Sequence, residues 1–502
     1  MAGPAWGDKT TNRVGYDGAG RMIAKRYLDA TAGAGGYSST ASLVGFTTAF
    51  DRSSNKLYER HLHAVRRSHR YTWHDSLNRL RAYERGTLAS GGGSVTEAIN
   101  VENTDKSRAY VLDGLGNWRR TVFTPEDASE ATTEARQHNY VNQLTEMGET
   151  AVTYDHGAND DGRAGNGNVD EDGTRKYEWD ALNRLKRVWK KDDPDVLIAT
   201  YSYDGLGRRI RRKVENNGLP NVPALNGTTD FLYFGIRCME ERSDADAELR
   251  QYVWGRYVDE LIQQKELTGG DVGTYYLLSD LLYRSVALTD ASKTIQEAYD
   301  CDAYGRTLLF SADGGSGWFS HDDTQALTSL CRFLFTGRSH DAETSETASQ
   351  LYLYRARYYQ TEMGRFVLRD PADYAHGTGL YEYVASSPAV RVDPLGLGPM
   401  NAGAKCVPGD ERIEVLHDYG GICWLIIKTP YDIAHARCIY GCVHIYIYRK
   451  WTCNKECMWE IGAAHHSKRV DWYSVPCYTW SPIKFFYKGS APPFARRPSP
   501  IA

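Results

Sequence analysis

Polar and apolar residues alternate along short stretches of the first two thirds of the chain, and turn-forming residues separate these stretches. Residues 176–179 and 184–189 show the alternation clearly. Alternation with a period of two places apolar side chains on one face of a β-strand. With 35 Tyr and 47 Gly against only 7 Met, the composition also favours strands and turns over helix bundles. The sequence therefore predicts a mostly β fold.

A short pattern lies between the alternating stretches: an Asp, two variable residues, and then Gly or Asn. Its copies begin at Asp17, Asp75, Asp113, Asp180, Asp204 and Asp302. Asp can begin a turn by accepting hydrogen bonds from the backbone ahead, and Gly or Asn tolerates a positive φ three positions later. We expect hairpin tips at these positions throughout residues 1–335. The two clearest copies lie 24 positions apart, which is typical of a stacked repeat array.

Three segments interrupt this pattern. Residues 124–138 are polar and rich in Ala and Glu, which predicts a short helix across the sheet. Residues 90–94 are a Ser/Gly insertion and predict a flexible connection. Residues 155–173 are acidic and Gly-rich, so we expect a solvated loop. Ca²⁺ binding is the alternative, although the stretch has no bidentate Glu where a calcium loop would close.

A junction follows the array at residues 350–398. It contains two Asp-Pro pairs 23 positions apart. On their own such pairs would indicate only turns or loops, where Asp and Pro are common. Five motifs surround them in a fixed order: Arg-Tyr-Tyr (357–359), Gly-Arg-Phe (364–366), Arg-Asp-Pro (369–371), Gly-Leu-Tyr-Glu-Tyr (379–383) and Val-Asp-Pro-Leu-Gly-Leu (392–397). This series resembles the repeat-associated core domain of the Rhs/YD-repeat family, and the Asp-x-x-Gly-Arg turns upstream are similar to the YD repeat.

The resemblance implies a core that is an aspartic autoprotease. Asp370 and Asp393 would be its catalytic carboxylates, and Arg357 would be an essential basic partner. Two carboxylates perform this chemistry by sharing one proton, so that one activates water while the other donates to the substrate. The expected cut falls between Leu397 and Gly398. The core requires no cofactor.

The resemblance also implies an organisation for the whole chain. Residues 1–335 would be a YD-repeat sheet coiled into a hollow shell, open or closed, residues 336–397 the core, and residues 398–502 a variable toxin. The tail would be the shell's own cargo, an immunity protein is an expected partner, and such proteins are secreted or associated with the cell surface. The N-terminus has no signal-peptide apolar region and begins inside a repeat, which suggests a truncated gene product.

The tail differs from the array in charge and in cysteine content. Residues 398–502 hold 13 Lys/Arg against 8 Asp/Glu, although the whole chain has a net charge of −4. They hold seven of the ten cysteines, which predicts a small cysteine-rich domain. Two pairs flank the strand-like residues 443–450: Cys438, Cys442, Cys453 and Cys457. Disulfides, a Zn²⁺ site made of the four cysteines or of three with His444 or His465, and free thiols all remain open.

Residues 465–469, His-His-Ser-Lys-Arg, suit either a metal-free nuclease, with His as acid or base, or a surface loop.

The alternative to a self-cleaving shell is a non-enzymatic protein. In that reading a cell-surface or extracellular YD-repeat array binds glycans or neighbouring cells through its Tyr-rich strands. No apolar run approaches the roughly 20 residues of a membrane-spanning helix.

Overall fold

A computed structural model gives the fold. It describes residues 15–17, 19, 21–28, 42–73, 77–89, 101–124, 130–156, 164–215, 225–311, 330–345, 349–376, 378–398, 400–401, 411–428, 437–453, 459–476 and 485–487. The chain divides into two compact units, Met1–Gly403 and Ala404–Ala502. Throughout the described ranges the regular structure is antiparallel β-strand with short 3₁₀ turns, which confirms the predicted mostly β class.

The first unit contains two large antiparallel sheets in which each described strand pairs with the next one along the chain. The strands of the first sheet are β1 Ala24–Leu28, β2 Ser42–Phe50, β3 Lys56–His61, β4 Ser68–Trp73, β5 Leu80–Leu88, β6 Val101–Leu112, β7 Trp118–Thr124, β8 Thr132–His138, β9 Leu144–Met147 and β10 Thr150–Ala151. Those of the second are β11 Thr153–His156, β12 Ala164–Glu171, β13 Arg175–Trp179, β14 Leu185–Lys190, β15 Leu197–Tyr203, β16 Arg209–Val214, β17 Gly227–Phe234, β18 Arg237–Ser243, β19 Glu248–Trp254, β20 Leu261–Glu266, β21 Gly273–Ser279, β22 Ser285–Thr289, β23 Ile295–Cys301 and β24 Thr307–Ser311. Neither sheet closes into a barrel over the described strands.

A third, small sheet carries the junction. Its strands are β25 Ser339–His340, β26 Leu351–Tyr354, β27 Arg357–Gln360 and β28 Arg365–Phe366, and β29 Arg391–Val392 pairs separately with β30 Met400–Asn401. The 3₁₀ turns are Val65–Arg67, Phe335–Gly337, Ala342–Thr344, Asp373–His376 and Val384–Ser386. Buried rings such as Tyr354, Tyr359 and Tyr383 belong to the same apolar cluster as Tyr71 and Tyr252 of the large sheets. Aromatic burial therefore packs the junction against the array.

The predicted hairpin tips are confirmed where the structure describes them. At Asp204, Oδ1 accepts the amides of Leu206 and Arg208 at 2.9 Å, and Oδ2 accepts Arg208 Nε at 2.7 Å. Gly207 has a φ of 79°, and Asn183 takes the same place in the Asp180 turn with a φ of 60°. Each turn shifts the strand register by one residue, as expected for a type I turn closed by a left-handed residue.

Neighbouring tips are also tied to one another. Arg208 Nη1 donates to the carbonyl of Gly235 at 2.7 Å, and Arg184 Nη1 donates to that of Asp204 at 3.2 Å. Where Asn replaces Arg, Asn117 Nδ2 donates to Asn142 Oδ1 at 3.0 Å. The residue after each tip therefore satisfies its own Asp and also holds the adjacent hairpin.

The acidic stretch at residues 155–173 is part of this pattern, so the solvated-loop expectation is wrong for its described residues. Asp155 Oδ1 accepts the amides of Gly167 and Asn168 at 2.7 and 3.0 Å, and Oδ2 accepts Asn168 Nδ2 at 2.8 Å. Gly167 has a φ of 85°. These residues reproduce the usual tip with an insertion in the middle, because the turn needs only the Asp and the closing Gly-Asn pair. Residues 157–163, like the Ser/Gly insertion at 90–94, lie outside the described residues.

The helix expected within residues 124–138 is also wrong. Thr132–His138 is strand β8, paired with β7 on one side and β9 on the other, while residues 125–129 lie outside the described part. Pairing on both sides supplies a hydrogen-bonding partner for the backbone on each edge. That outweighs the modest helix preference of one Ala and one Glu.

In the second unit only the backbone of four strands is described: β31 Glu411–Lys428, β32 Arg437–Cys453, β33 Trp459–Pro476 and β34 Phe485–Tyr487. They form one antiparallel sheet in the order β33-β32-β31-β34. Residues 443–450 lie in β32, as their alternation predicts. Residues 465–469 lie inside β33, so the expectation of a loop at these positions is wrong. Cys438, Cys442 and Cys453 lie on β32 and Cys423 is the register partner of Cys442, whereas Cys457 lies outside the described residues.

No helix among the described residues is long and apolar enough to cross a membrane.

Candidate functional site

Arg357 is the centre of the junction. It opens β27, directly after the two-residue connection from β26, and every residue of β27 is buried. Its side chain is only 2% exposed, and its guanidinium carbon lies 3.6 Å from the centroid of the Phe366 ring. A buried cation of this kind is stable only when anions and hydrogen bonds compensate its lost hydration.

Asp370 and Asp393 supply that compensation. Nη2 of Arg357 lies 3.3 Å from Oδ2 of Asp370 and 3.1 Å from Oδ2 of Asp393. Both carboxylates are buried. Burial lowers the pKa of Arg357, and Asp393 and then Asp370 oppose that shift. The structure therefore brings together the three residues that the resemblance selects, although 23 positions separate the two Asp.

The Asp393 turn holds the predicted cleavage site against this trio. Oδ1 of Asp393 accepts the amide of Leu397 at 3.0 Å, and Oδ2 accepts the amide of Gly398 at 3.1 Å. Gly396 has a φ of 69°, and a Cβ at this position would collide with the carbonyl oxygen of Tyr354. Glycine is required here both by conformation and by space. The nitrogen of the Leu397–Gly398 peptide thus lies within hydrogen-bond distance of one of the two carboxylates.

Three successive carbonyl groups before that peptide are also held. The Pro394 carbonyl accepts from Arg355 Nη1, the Leu395 carbonyl accepts the amide of Ala356 at 3.2 Å, and the Gly396 carbonyl accepts from Arg357 Nε. All three donors come from the start of β27 or from the turn before it. These contacts hold the turn before the scissile peptide against the tip of the β26–β27 hairpin.

Asp370 is fixed by its own turn. Its amide donates to the carbonyl of Leu380 at 2.9 Å, and its Oδ1 accepts the amide of Ala372 at 2.9 Å. Arg357 Nη1 also reaches the Leu380 carbonyl, at 3.5 Å. These contacts direct the other oxygen, Oδ2, toward Arg357.

Arg365, the arginine of the Gly-Arg-Phe motif, contacts the array and not the two carboxylates. Its Nη2 donates to Oδ1 of Asn117 at 2.6 Å, and its Nη1 donates to the carbonyl of Asn142 at 2.8 Å. Both acceptors lie at array tips. Arg365 therefore joins the junction to the array, and neither of these hydrogen bonds involves Asp370 or Asp393.

A second buried cluster, which the sequence analysis does not identify, contains metal-ligating residue types. Glu59, His61 and His69 each offer a ligand atom within 4.8 Å of the others. The Glu59 carboxylate already contacts Lys56 at 2.7 Å and Arg284 at 2.8 Å. Burial lowers the pKa of His69 to about 3, so its ring is neutral. A metal ion would have to displace two cations from Glu59. We interpret the cluster as a polar network that joins β3 and β4 to the turn before β22.

Comparisons with known proteins agree with this architecture. No protein-family model matches the chain. The chain is 30% identical over 325 residues to the tRNA3(Ser)-specific nuclease WapA of Bacillus spizizenii, an alignment that covers 63% of this chain and 12% of that protein. It is 27% identical over 239 residues to the probable deoxyribonuclease RhsB of Dickeya dadantii, covering 47% of this chain and 14% of that one.

The fold matches a solved structure as well. The crystal structure of TcdB2-TccC3 superimposes with a TM-score of 0.56 at 20% identity, over 76% of this chain and 18% of that one. At that identity the likeness establishes the fold alone. The chain spans less than a fifth of the length of each of these proteins.

Proposed function

The chain belongs to the Rhs/YD-repeat family, and on that premise we propose that it is a toxin-carrying β-array that cuts its own chain between Leu397 and Gly398. The observation that carries the proposal is the geometry around Arg357. Its Nη2 atom contacts both Asp370 and Asp393, and the latter also contacts the nitrogen of the peptide to be cut.

The reaction is a hydrolysis, with one carboxylate acting as base and the other as acid. Asp370 takes a proton from a water molecule while the water oxygen forms a bond to the carbonyl carbon of Leu397, and the electron pair of the carbonyl π bond moves to the oxygen. Before this attack the amide of Gly398 donates to Oδ2 of Asp393 at 3.1 Å; afterwards its nitrogen is an amine with a free electron pair. Asp393, which carries the shared proton, donates it to that nitrogen as the carbonyl re-forms and the carbon–nitrogen bond breaks. The products are a carboxyl group on Leu397 and a free amine on Gly398, and one proton has moved from Asp393 to Asp370.

Arg357 allows one carboxylate of the pair to be ionised while the other is protonated. One proton shared by the two carboxylates, together with the Arg357 cation, leaves the buried trio electrically neutral, which limits its desolvation cost. The hydrogen bond from Arg357 Nε to the Gly396 carbonyl holds the scissile segment in register. Orienting the reacting groups in this way supplies much of the rate enhancement available to a single-turnover enzyme.

The tail, residues 398–502, is the proposed cargo. The similar proteins are a tRNA nuclease and a probable deoxyribonuclease by name, and a relative from Burkholderia cenocepacia is a double-stranded DNA deaminase toxin. A toxin that acts on nucleic acid suits the excess of Lys and Arg in the tail. We propose that the protein acts outside the cell that makes it. An immunity protein would protect the producing cell, and disulfides or Zn²⁺ would stabilise the tail through its cysteines.

The test is the electrophoretic pattern of the full chain under denaturing conditions. Asp370→Asn and Asp393→Asn should each leave one intact chain, because neither carboxylate can act as both acid and base, while the parent yields two fragments. Asp373→Asn is the matched control: this exposed Asp lies three positions from Asp370 and should leave cleavage unchanged.

Two outcomes would contradict the assignment. A parent chain that stays whole would leave the non-enzymatic cell-surface array as the better reading. Cleavage that persists in both Asn variants would assign the cut to a contaminating protease.

A further inference from the structure

Arg355, two residues before Arg357, also contacts the segment that precedes the scissile bond. It lies at the tip of the β26–β27 hairpin with a φ of 58°, a conformation that non-glycine residues adopt at a cost. This conformation lets its guanidinium donate to the carbonyl of Pro394 and, at 3.4 Å, to that of Ile236. The arginine thus links the segment before the scissile bond to the array.

The orientation of Arg355 depends on a residue from the array. Oδ1 of Asp259, in the connection between β19 and β20, lies 2.7 Å from Nη2 of Arg355. The other oxygen of Asp259 contacts Arg338. Asp259 is buried, and its carbonyl oxygen packs against Gly337, where a Cβ would collide with it.

A single carboxylate therefore separates two arginines that would otherwise repel each other. Burial and the neighbouring Arg338 lower the pKa of Arg355, and Asp259 opposes both effects. Without that charge, the Arg338 and Arg355 guanidinium groups would repel each other. Arg355 would also lose the carboxylate that orients its guanidinium group.

We propose that Asp259 is a positioning residue for self-cleavage, which acts by holding Arg355 against the Pro394 carbonyl and so keeps the Leu397–Gly398 peptide beside the carboxylate pair. The inference rests on the proposed function and extends it. Since Asp259 lies 96 positions before Arg355, the cut becomes dependent on a correctly folded β19–β20 region. The chain would be cut only after this region of the array has folded.

The chain contains a matched control for a general loss of stability. Asp341 is a buried carboxylate that joins the core, residues 336–397, to the array, and it accepts from Arg209 Nη2 at 2.7 Å. Among the described residues its carboxylate makes no hydrogen bond with residues 393–398. Removing its charge should therefore weaken the fold without moving the scissile peptide.

The experiment follows cleavage of the full chain during cell-free synthesis, with samples quenched in denaturant at intervals. Asp259→Asn should slow the conversion by at least about tenfold, because a small misplacement of reacting groups has effects of that size. Asp341→Asn should stay within about twofold of the parent. Asp259→Glu, which keeps the charge, should recover part of the rate. A parent-like rate in Asp259→Asn, or equal slowing in Asp341→Asn, would overturn the inference.

Two further measurements keep the test decisive. If Asp259→Asn does not fold, Arg355→Lys retains the cation without the forked donor, and an unchanged rate in that variant would overturn the inference.

Amide exchange of residues 395–398 is compared in chains that also carry Asp370→Asn and so stay whole. Faster exchange with Asp259→Asn supports the role, and exchange equal to that of the Asp341→Asn chain overturns it. A parent that never cleaves refutes the proposed function, while the exchange result still decides whether Asp259 holds the segment.

Discussion

The turn at Asp204 in the array and the turn at Asp393 in the junction start alike and end differently. Both place a glycine with a left-handed φ three positions after the Asp, at 79° for Gly207 and 69° for Gly396. Both use Oδ1 to accept the amide four positions after the Asp. In the array that position is Arg208, whose Nε also occupies Oδ2.

In the junction the equivalent position is Leu397, which has no donor to offer. Oδ2 of Asp393 is instead contacted by Arg357 and by the amide of Gly398. The two turns therefore differ in the residue that follows the glycine, which is Arg in the array and Leu in the junction. With Arg, Oδ2 of the Asp is paired inside its own turn. With Leu, Oδ2 is left to contact a buried cation and the peptide to be cut. The site therefore uses the same Asp-x-x-Gly turn that forms hairpin tips in the array.

The largest expected effect comes from the glycine of the Asp393 turn. Gly396→Ala would drive a methyl group into the Tyr354 carbonyl, so the segment must move, and we expect cleavage to slow by at least about 100-fold. Gly207→Ala is the counterpart in the array, where the space is open. It should cost about 1–2 kcal/mol of stability from backbone strain and leave the cleavage rate unchanged. Timed denaturing gels and thermal melts measure the two effects, and equal cleavage in both variants would contradict the comparison.

A smaller effect should follow when the missing donor is supplied. Leu397→Arg would place an array-like guanidinium beside Oδ2 of Asp393, where it competes with Arg357 and Gly398. We expect cleavage to slow by about tenfold, since one charge-assisted hydrogen bond is redirected. Leu397→Met preserves an apolar side chain of similar size and should cleave like the parent. If both variants cleave at the parental rate, the identity of the residue at this position does not control the carboxylate.

The smallest effect concerns the pH dependence of the array. Burial raises the pKa of Asp204, but hydrogen bonds from the backbone and side chain of Arg208 outweigh it, so the pKa lies below its ordinary value of 3.8. A carboxylate whose pKa is lowered by folding contributes stability above its unfolded pKa and loses it as the pH falls through the folded one. The melting temperature should therefore fall below about pH 4, and less steeply in Asp204→Asn. An equally steep fall in that variant would exclude the contribution.

The hairpin tips were predictable where their hydrogen bonds join residues that are close in sequence. An Asp with Gly or Asn three positions later is sufficient, because the Asp side chain accepts the amides of its own turn. The structure also has tips at Asp51, Asp280 and Asp290, where Ser54, Tyr283 and Lys293 adopt the positive φ. Sequence reasoning missed these tips because it required Gly or Asn, although the Asp was a usable signal. The Asp155 tip was hidden by its insertion.

The site was predictable only in part. Arg357, Asp370 and Asp393 follow from the resemblance, and the Asp-x-x-Gly spacing at 393–396 could have suggested an array-like turn there. The role proposed for Asp259 could not be predicted, because its partners are distant in sequence and a buried ion pair leaves no periodic pattern. The same holds for the place of Arg365 against the array tips.

The most direct test of the central claim is the mass of the two fragments formed when the chain is synthesised in water enriched in oxygen-18. If Asp370 and Asp393 activate water at the Leu397 carbonyl, the first fragment ends at Leu397 and its new carboxyl group carries one oxygen-18 atom. The second fragment begins at Gly398 with a free amine. An intact chain, a fragment boundary elsewhere, or a Leu397 end without the label would contradict the account.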